Sequence, residues 1–330
     1  MKVAILHGAV PDDAPEDERD VLVEAEAIAA ALSRLGHEPC ALTFTIDLQA
    51  SMARLYAAQP DLVFNLVETV EGRGRLIHLA PAVLDLLDIP YTGASTDAQF
   101  FTSNKLAAKK LLRGAGIATP AWLGRRNAEG DGFRAGQAYI VKSVWEHASV
   151  GLDEDSVFLP ASWPELKQEL ARRRVRLGGD CFAEAFVEGR EFNLSVLGGP
   201  GGPEVLPPAE ISFEAYPEGK RHVVGFRAKW DEASFEYQHT PRRFDFPGQE
   251  QLVAELRTMA ERCWRLFELR GYGRVDFRVD SAGQPWVLEI NTNPCISPDA
   301  GFMAAAGRAG LTIDQVVARI MAETLSNGAP

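Results

Sequence analysis

The sequence predicts an α/β N-terminal third followed by a longer α+β region. Three observations lead there. Apolar strands and amphipathic helices alternate strictly over roughly the first 95 residues. From Gln137 onward the pattern changes to short strands separated by turn residues. Near the C-terminus, Gly273–Pro294 (GRVDFRVDSAGQPWVLEINTNP) reads as two strands around a turn at Ser281-Ala282-Gly283.

Taken in order, Lys2–Leu6 is a buried-type strand that ends at His7-Gly8. The acidic run Asp12–Asp20 reads as a solvated loop and a helix start favoured by the helix dipole. Val21, Ala25, Ile28, Leu32 and Leu35 share one helical face, stopped by Gly36. Cys40–Phe44 and Asp61–Val67 are further strands, and Leu48, Met52 and Leu55 mark the helix between them. Leu76, Leu79, Val83 and Leu86 predict a third helix, and Ile89–Thr92 a fourth strand. Such alternation requires a parallel sheet with helices on its faces, a Rossmann-like open sheet over residues 1–95. No GxGxxG follows its first strand, which argues against a dinucleotide site there. Thr102–Gly114 is a capped helix carrying Lys105, Lys109 and Lys110. AYIVKSV, DSVFL, DCFAEAFV, GREFNLSVLGG and EVLPPAEI then form strands and hairpins. Residues 213–246 are too long for a passive loop, and their aromatic residues predict a lid. Long helices over Gln249–Leu269 and Thr312–Leu325 flank the hairpin. The expected domains are 1–95, 96–180 and 181–330, with the lid in the third.

The chain has 330 residues, 46% of them hydrophobic, and carries a formal charge of −12. That balance argues against nonspecific binding to nucleic acid or anionic lipid. Its partners are expected to be small molecules. MKVAILHG is too short an apolar run for a signal peptide, and no run reaches membrane-spanning length. Cys40, Cys181, Cys263 and Cys295 are scattered without zinc-like spacing, so a reducing cytoplasm is expected. Only 8 of the 34 basic residues are Lys, so a Lys on an apolar strand stands out.

A hairpin turn between Ala282 and Gly283 sets Asp276 opposite Glu289 and Arg274 opposite Asn291, all on one face. Opposed side chains lie about 5 Å apart, and like charges so placed destabilise a sheet. Val275, Phe277, Val279, Val287, Leu288 and Ile290 make the other, core face. Two carboxylates and an amide oxygen are hard ligands suited to Mg²⁺ or Mn²⁺. The plain alternative is a solvated strand face on which Arg274 neutralises the acids. Lys142, mid-strand, must meet an anion or solvent. Small residues in Glu146–Gly151 (EHASVG) let backbone amides approach a phosphate. Glu184 and Glu191 flank a short apolar linker whose backbone can meet an adenine edge; singly, each reads as a surface acid. Cys295 reads as a small buried spacer, and His222 and His239 as solvated loop residues.

In sequence order, FAEAFVEGREFNLSVL, AKW and the hairpin resemble the ATP-grasp superfamily. From VAILHG through DLVFNLVE, IPYTGAS and SNKLAAKKLLRGAGIATP to AAAGRAGLTIDQVVARI, the chain resembles its D-alanine–D-alanine ligase branch. The resemblance implies a Rossmann-like (pre-ATP-grasp) domain and two α+β subdomains gripping ATP. It implies a ligase that activates a carboxylate as an acyl phosphate and joins it to an amine, releasing ADP and phosphate. Lys105 and Lys142 match lysines at the ATP phosphates. Glu184 and Val187 match the adenine-edge positions, and Glu191 the ribose carboxylate. Lys229 matches the lid lysine at the γ-phosphate. Asp276, Glu289 and Asn291 match ligands of two Mg²⁺ ions, with Glu289 bridging. Arg274 matches the arginine beside the transferred phosphate and tetrahedral centre. Homodimers are common in this branch.

Substrate positions depart from it. The branch's glycine pair and Ser-x-Glu become HGAVPDDAPEDERD, in which Glu18 matches the carboxylate for the first substrate's ammonium. Glu68-Thr69 replaces His-Gly after the third strand. Glu-Gly-Ser-Ser becomes Glu146-His147-Ala148-Ser149, retaining Ser149 on the catalytic and substrate side. The Ser-Leu pair for the second substrate's carboxylate becomes Ala300-Gly301, beside Asp299. Losing that hydroxyl predicts an acceptor without a carboxylate or with a cationic group, hence substrates other than two D-alanines. Two other functions fit the same residues. A phosphotransferase would release ADP without an amine, and a non-catalytic ATP-binding module would turn over no ATP.

Overall fold

The computed structural model describes residues 1–11, 13–14, 16–124, 132–145, 152–177, 179–199 and 201–326, without the side chains of residues 16–18 and 154. The first elements are β1 (Lys2–Gly8), α1 (Glu16–Arg34), β2 (Glu38–Phe44), α2 (Leu48–Ala58), β3 (Leu62–Asn65) and α3 (Leu79–Leu86). The strands form a parallel sheet of order β2-β1-β3. As the central strand, β1 buries both faces. Val3 and Ile5 pack on the α1 side, and Ala4 and Leu6 on the opposite side with Leu55 and Val83.

Two expectations for this region change. Ile89–Thr92 is not a strand: only Tyr91 bridges to Val63. Pro90 has no N–H to donate, and Gly93 (φ 86°) turns the chain away. The buried side of α3 is Ala80, Val83 and Leu84, whereas Leu86 is exposed.

The expected helix Thr102–Gly114 is two helices, α4 (Thr96–Ser103) and α5 (Lys105–Gly114). They break at Asn104, whose side chain accepts the Ala107 N–H at 3.1 Å and caps α5. Next come β4 (Trp122–Gly124), β5 (Tyr139–Ser143), β6 (Val157–Phe158), α6 (Trp163–Arg176) and β7 (Cys181–Ala185). Their sheet is antiparallel, of order β4-β7-β5-β6. Sequence patterning missed α6, which Ser162 caps and which packs Leu166 and Leu170 behind the sheet.

The third sheet follows β8 (Gly189–Leu197), β9 (Glu204–Val205) and β10 (Ala209–Ile211). After α7 (Phe226–Trp230) and α8 (Phe235–Gln238) come β11 (Arg242–Arg243), α9 (Glu250–Leu266), β12 (Tyr272–Asp280) and β13 (Pro285–Asn291). The order is β11-β10-β8-β12-β13, with β9 also on β8. One face is covered by Leu256, Met259, Ala260, Cys263 and Trp264 of α9. Gly189 (φ 146°) lets β8 start flush against β12: a Cβ there would stand 2.1 Å from the Val279 carbonyl oxygen. Finally α10 (Gly301–Arg308) and α11 (Ile313–Ser326) return to the first sheet. Phe302, Val316, Val317 and Ile320 join Ile28 and Leu32 of α1 in one core. Burying each such side chain contributes roughly 1.5–3 kcal/mol. Among the described residues no helix is long and apolar enough to cross a membrane.

Candidate active site

A cavity of about 950 Å³ lies between the second and third sheets and is bordered by the end of the first. That is the upper range for a small-molecule site. Strand alternation builds its walls. On the second sheet Ile140 pairs with Glu184, and Lys142 follows two residues on, so all three share a face. On the third, Arg274 pairs with Ser195 and Asn291, Asp276 with Asn193 and Glu289, and Arg278 with Glu191.

The hairpin register holds as the sequence predicts, but for a different reason. Phe277 pairs with Val287, so the turn centres on Ala282 rather than between Ala282 and Gly283, and Leu288 is the extra residue of a β-bulge. The bulge restores the Asp276–Glu289 pairing. It also turns Leu288 out of the expected core face and into the cavity lining. There it joins Ile140, Phe186, Val187, Ile211 and Phe226 as an apolar slot. Val187, in the linker after β7, makes no backbone hydrogen bond to another described residue.

Acids and bases interlock in the cleft. Glu184, 1% exposed, lies 2.6 Å from Lys142 Nζ and 2.5 Å from Lys109 Nζ, so it is not a surface acid. Burial raises its pKa, but the two lysines outweigh that and hold it below the usual carboxylate range. Lys142 is likewise penalised by burial, yet Glu184 and Glu289 hold its pKa above the ordinary value. Lys105, at the start of α5, stands 3.3 Å from Glu289. Lys229 on α7 lines the same space; burial and Arg274 pull its pKa down against Glu289 and Asp276. Glu191 pairs with Arg278 at 3.0 Å.

Asp276 accepts four hydrogen bonds: Arg274 Nε at 2.7 Å, Arg274 Nη2 at 2.9 Å, Asn193 Nδ2 at 2.8 Å and Asn291 Nδ2 at 3.1 Å. The neutralising role read as the plain alternative for Arg274 is thus present. No group of three His, Cys, Asp or Glu gathers among the described residues. The donor set is instead two carboxylates and an amide, the hard oxygens that Mg²⁺ takes. Lys105 and Arg274 hold these acids at the positions a divalent ion would share.

The substrate end contains residues that the sequence left unassigned. Asp20 lines the cavity and accepts from Cys295 Sγ at 2.9 Å, so it is not solvated helix start. Glu68 lines it too; burial and Asp20 push its pKa up to about 7. Behind them Glu24 accepts the Ile296 N–H at 2.7 Å, its pKa raised by burial and by Glu68. Burial and these acids also raise the Cys295 pKa, which suits an inert thiol. Ala300 and Gly301 line the same cavity. A Cβ on Gly301 would sit 3.4 Å from Arg242 Nε, so a guanidinium covers this glycine. Arg242 pairs with Ile211 on the cavity face and donates to the Asp299 carbonyl at 3.3 Å. Ser149 and its loop lie outside the described residues, as does the Glu18 side chain. His222 stacks on Phe213 yet stays exposed, as expected, whereas His239 stacks on Phe235 and is half-buried.

A family model described as D-ala D-ala ligase C-terminus matches residues 132–322. The chain is 31% identical over 336 residues to a D-alanine–D-alanine ligase of Moorella thermoacetica, covering 97% of this chain and 98% of that protein. The chain belongs to the D-alanine–D-alanine ligase family. It is also 31% identical, over 90% of its length and 86% of the relative's, to the uncharacterized protein y4sG of Sinorhizobium fredii. The structure of a Bacillus anthracis D-alanine–D-alanine ligase complexed with ATP shares the fold at TM-score 0.74 and 20% identity, over 99% of this chain and 98% of that one. Family membership makes the chain an ATP-dependent C–N ligase of the ATP-grasp fold.

Proposed function

We propose that the protein activates the carboxylate of an amino acid with ATP and ligates it to an amine. The observation that carries this reading is the convergence of Lys105, Lys142, Lys229 and Arg274 on a cleft floored by Asp276, Glu289 and Asn291. The apolar slot around Ile140, Ile211 and Leu288 suits adenine, with Val187 backbone groups at its edge and Glu191 at the ribose. Lys105, Lys142 and Lys229 suit the phosphates. Asp276, Glu289 and Asn291 suit two Mg²⁺ ions, for which Mn²⁺ could substitute; when bound, the ions neutralise charge on the phosphoryl oxygens.

The substrate carboxylate oxygen attacks the γ-phosphorus, the bond to ADP breaks, and an acyl phosphate results. The amine nitrogen then adds to the acyl carbon, phosphate leaves, and the nitrogen gives up its proton. Lysine charges in a water-poor cleft stabilise the spreading negative charge. Arg274 offers a fixed planar cation to the oxyanion of the second step. Phe226 and Trp230 of the lid line the cavity and exclude water that would hydrolyse the acyl phosphate. Asp20 and Glu68 suit the ammonium of the first substrate, and Arg274 its reacting carboxylate.

At the acceptor end, the cation expected in the substrate is found in the protein. Arg242 supplies a guanidinium where Ala300 lacks a hydroxyl, which favours an acceptor carrying its own anionic group. That reverses the expectation of an acceptor without a carboxylate. The test is ADP release over a matrix of amino acids and amines, with product masses. ADP formed without any amine would support a phosphotransferase instead.

A further inference from the structure

Lys109 has no role in the ligation chemistry, yet it is one of the most deeply buried polar groups, 1% exposed. Its ammonium donates to Thr119 Oγ1 at 2.7 Å and to the Pro120 carbonyl at 3.2 Å, and forms an ion pair with Glu184 Oε2 at 2.5 Å. Glu184 and Thr119 lead to different walls of the cleft. The other oxygen of Glu184 holds Lys142 of the second sheet at 2.6 Å. Thr119 Oγ1 in turn donates to the Val287 carbonyl of β13 at 2.8 Å, and the Val287 N–H donates to the Ala118 carbonyl at 2.8 Å. Val287 directly precedes the bulged Leu288 and Glu289. One buried ammonium therefore joins Lys142 on one wall to the strand bearing Glu289 and Asn291 on the other.

We propose that Lys109 is a positioning residue that fixes the spacing of the two walls of the nucleotide cleft. It acts through Glu184 on Lys142 and through Thr119 on β13, and touches no substrate itself. A fold needing only a buried polar anchor could satisfy Glu184 with Lys142 alone. The second bond chain, across Thr119 to β13, is what a spacing role requires. The inference rests on the ATP-ligase reading and concerns nucleotide affinity, not the identity of the amine.

The charged groups facing Lys109 are Glu184, Lys142 and Arg113. Burial outweighs the pull of Glu184 and lowers its pKa to about 8. Deprotonation above that pH removes the positive half of the Glu184 bridge, so nucleotide affinity should fall as pH rises through about 8.

The test uses full-length protein and measures Mg·ATP binding by calorimetry without substrates, alongside thermal melting and ADP release. Lys109→Met should weaken Mg·ATP binding about 10- to 100-fold, the range for losing a group that orients first-contact residues. At saturating ATP its kcat should change less than about threefold. Lys109→Arg should keep affinity at pH 7 and lose the decline above pH 8. Thr119→Val keeps the Lys109–Glu184 ion pair but removes the hydroxyl that accepts from Lys109 and donates to Val287, which is the whole link to β13; it should weaken binding about three- to tenfold. A folded Lys109→Met that binds Mg·ATP like the wild type overturns the proposal. So does an unfolded Lys109→Met accompanied by a folded Thr119→Val with wild-type affinity. If the wild type itself binds no Mg·ATP, the ligase reading fails first, and that control separates the two failures.

Discussion

Asp276→Asn separates a metal ligand from a partner that merely neutralises Arg274. The carboxylate accepts four hydrogen bonds from Arg274, Asn193 and Asn291, all between 2.7 and 3.1 Å. An amide puts an N–H₂ where one oxygen stood, so donors face donors on that side, and the Arg274 charge loses its counterion. Breaking a buried pair costs about 3–5 kcal/mol. The Arg274 side chain is 22% exposed, which places this case near the low end, about 3 kcal/mol. For a chain of 330 residues that is a fall in Tm of about 4 °C. In the wild type, Mg·ATP at a hundred times its Kd adds about 2.7 kcal/mol, or about 4 °C. The variant should melt lower and gain almost nothing from Mg·ATP. Melting curves by differential scanning calorimetry, with and without 5 mM-scale Mg·ATP, read both effects. A variant that melts lower but keeps the full Mg·ATP gain would mean Asp276 only neutralises Arg274, refuting its place among the metal ligands.

Three further outcomes follow from the same geometry. The Glu68 carboxyl is raised to about 7 in the fold, so the folded protein binds more protons than the unfolded chain above about pH 4.5. Substrate-free stability should therefore fall by about 1–3 kcal/mol as pH rises from 4.5 to 7. Glu68→Gln should flatten that fall in urea titrations and raise the KM of the ammonium-bearing substrate. Matched pairs of amines (alanine with ethylamine, phenylalanine with phenethylamine, lysine with cadaverine) should show a preference for the carboxylate-bearing member; Arg242→Gln should reduce it about tenfold or more in kcat/KM. Equal turnover of both members by the wild type would remove Arg242 from acceptor recognition. Gly189→Ala would place a methyl 2.1 Å from a backbone oxygen, so strand β8 must shift; a loss above about 4 kcal/mol is expected in denaturant titration.

Much of this site was legible because it is local. Strand alternation alone puts Arg274 with Asp276 and Glu289 with Asn291; bringing the two pairs onto one face takes the bulge at Leu288. The bulge at Leu288 was not legible, since an extra residue shows only when the partner strand is fixed. Glu184 looked like a surface acid because its lysines come from α5 and β5, and nothing in FAEAFV announces them. Asp20 belonged to an acidic run that reads as solvated, and only packing of α1 against the segment after β13 puts it beside Cys295. Helix α6 hid because two leucines among charged residues make a thin stripe. Arg242 carried a faint signal: a Gly at 301 leaves room that a neighbouring long side chain can fill. The strand at Ile89–Thr92 failed on a residue in plain view, Pro90.

The most direct measurement is time-resolved ADP release with mass spectrometry of products, run on purified protein with Mg·ATP and paired amino acid and amine substrates. An ATP-dependent ligase should release ADP only when both substrates are present, and yield one product whose mass is their sum less one water. Sustained ADP release with a carboxylate alone, or amine-independent formation of a stable phosphorylated product, would contradict it.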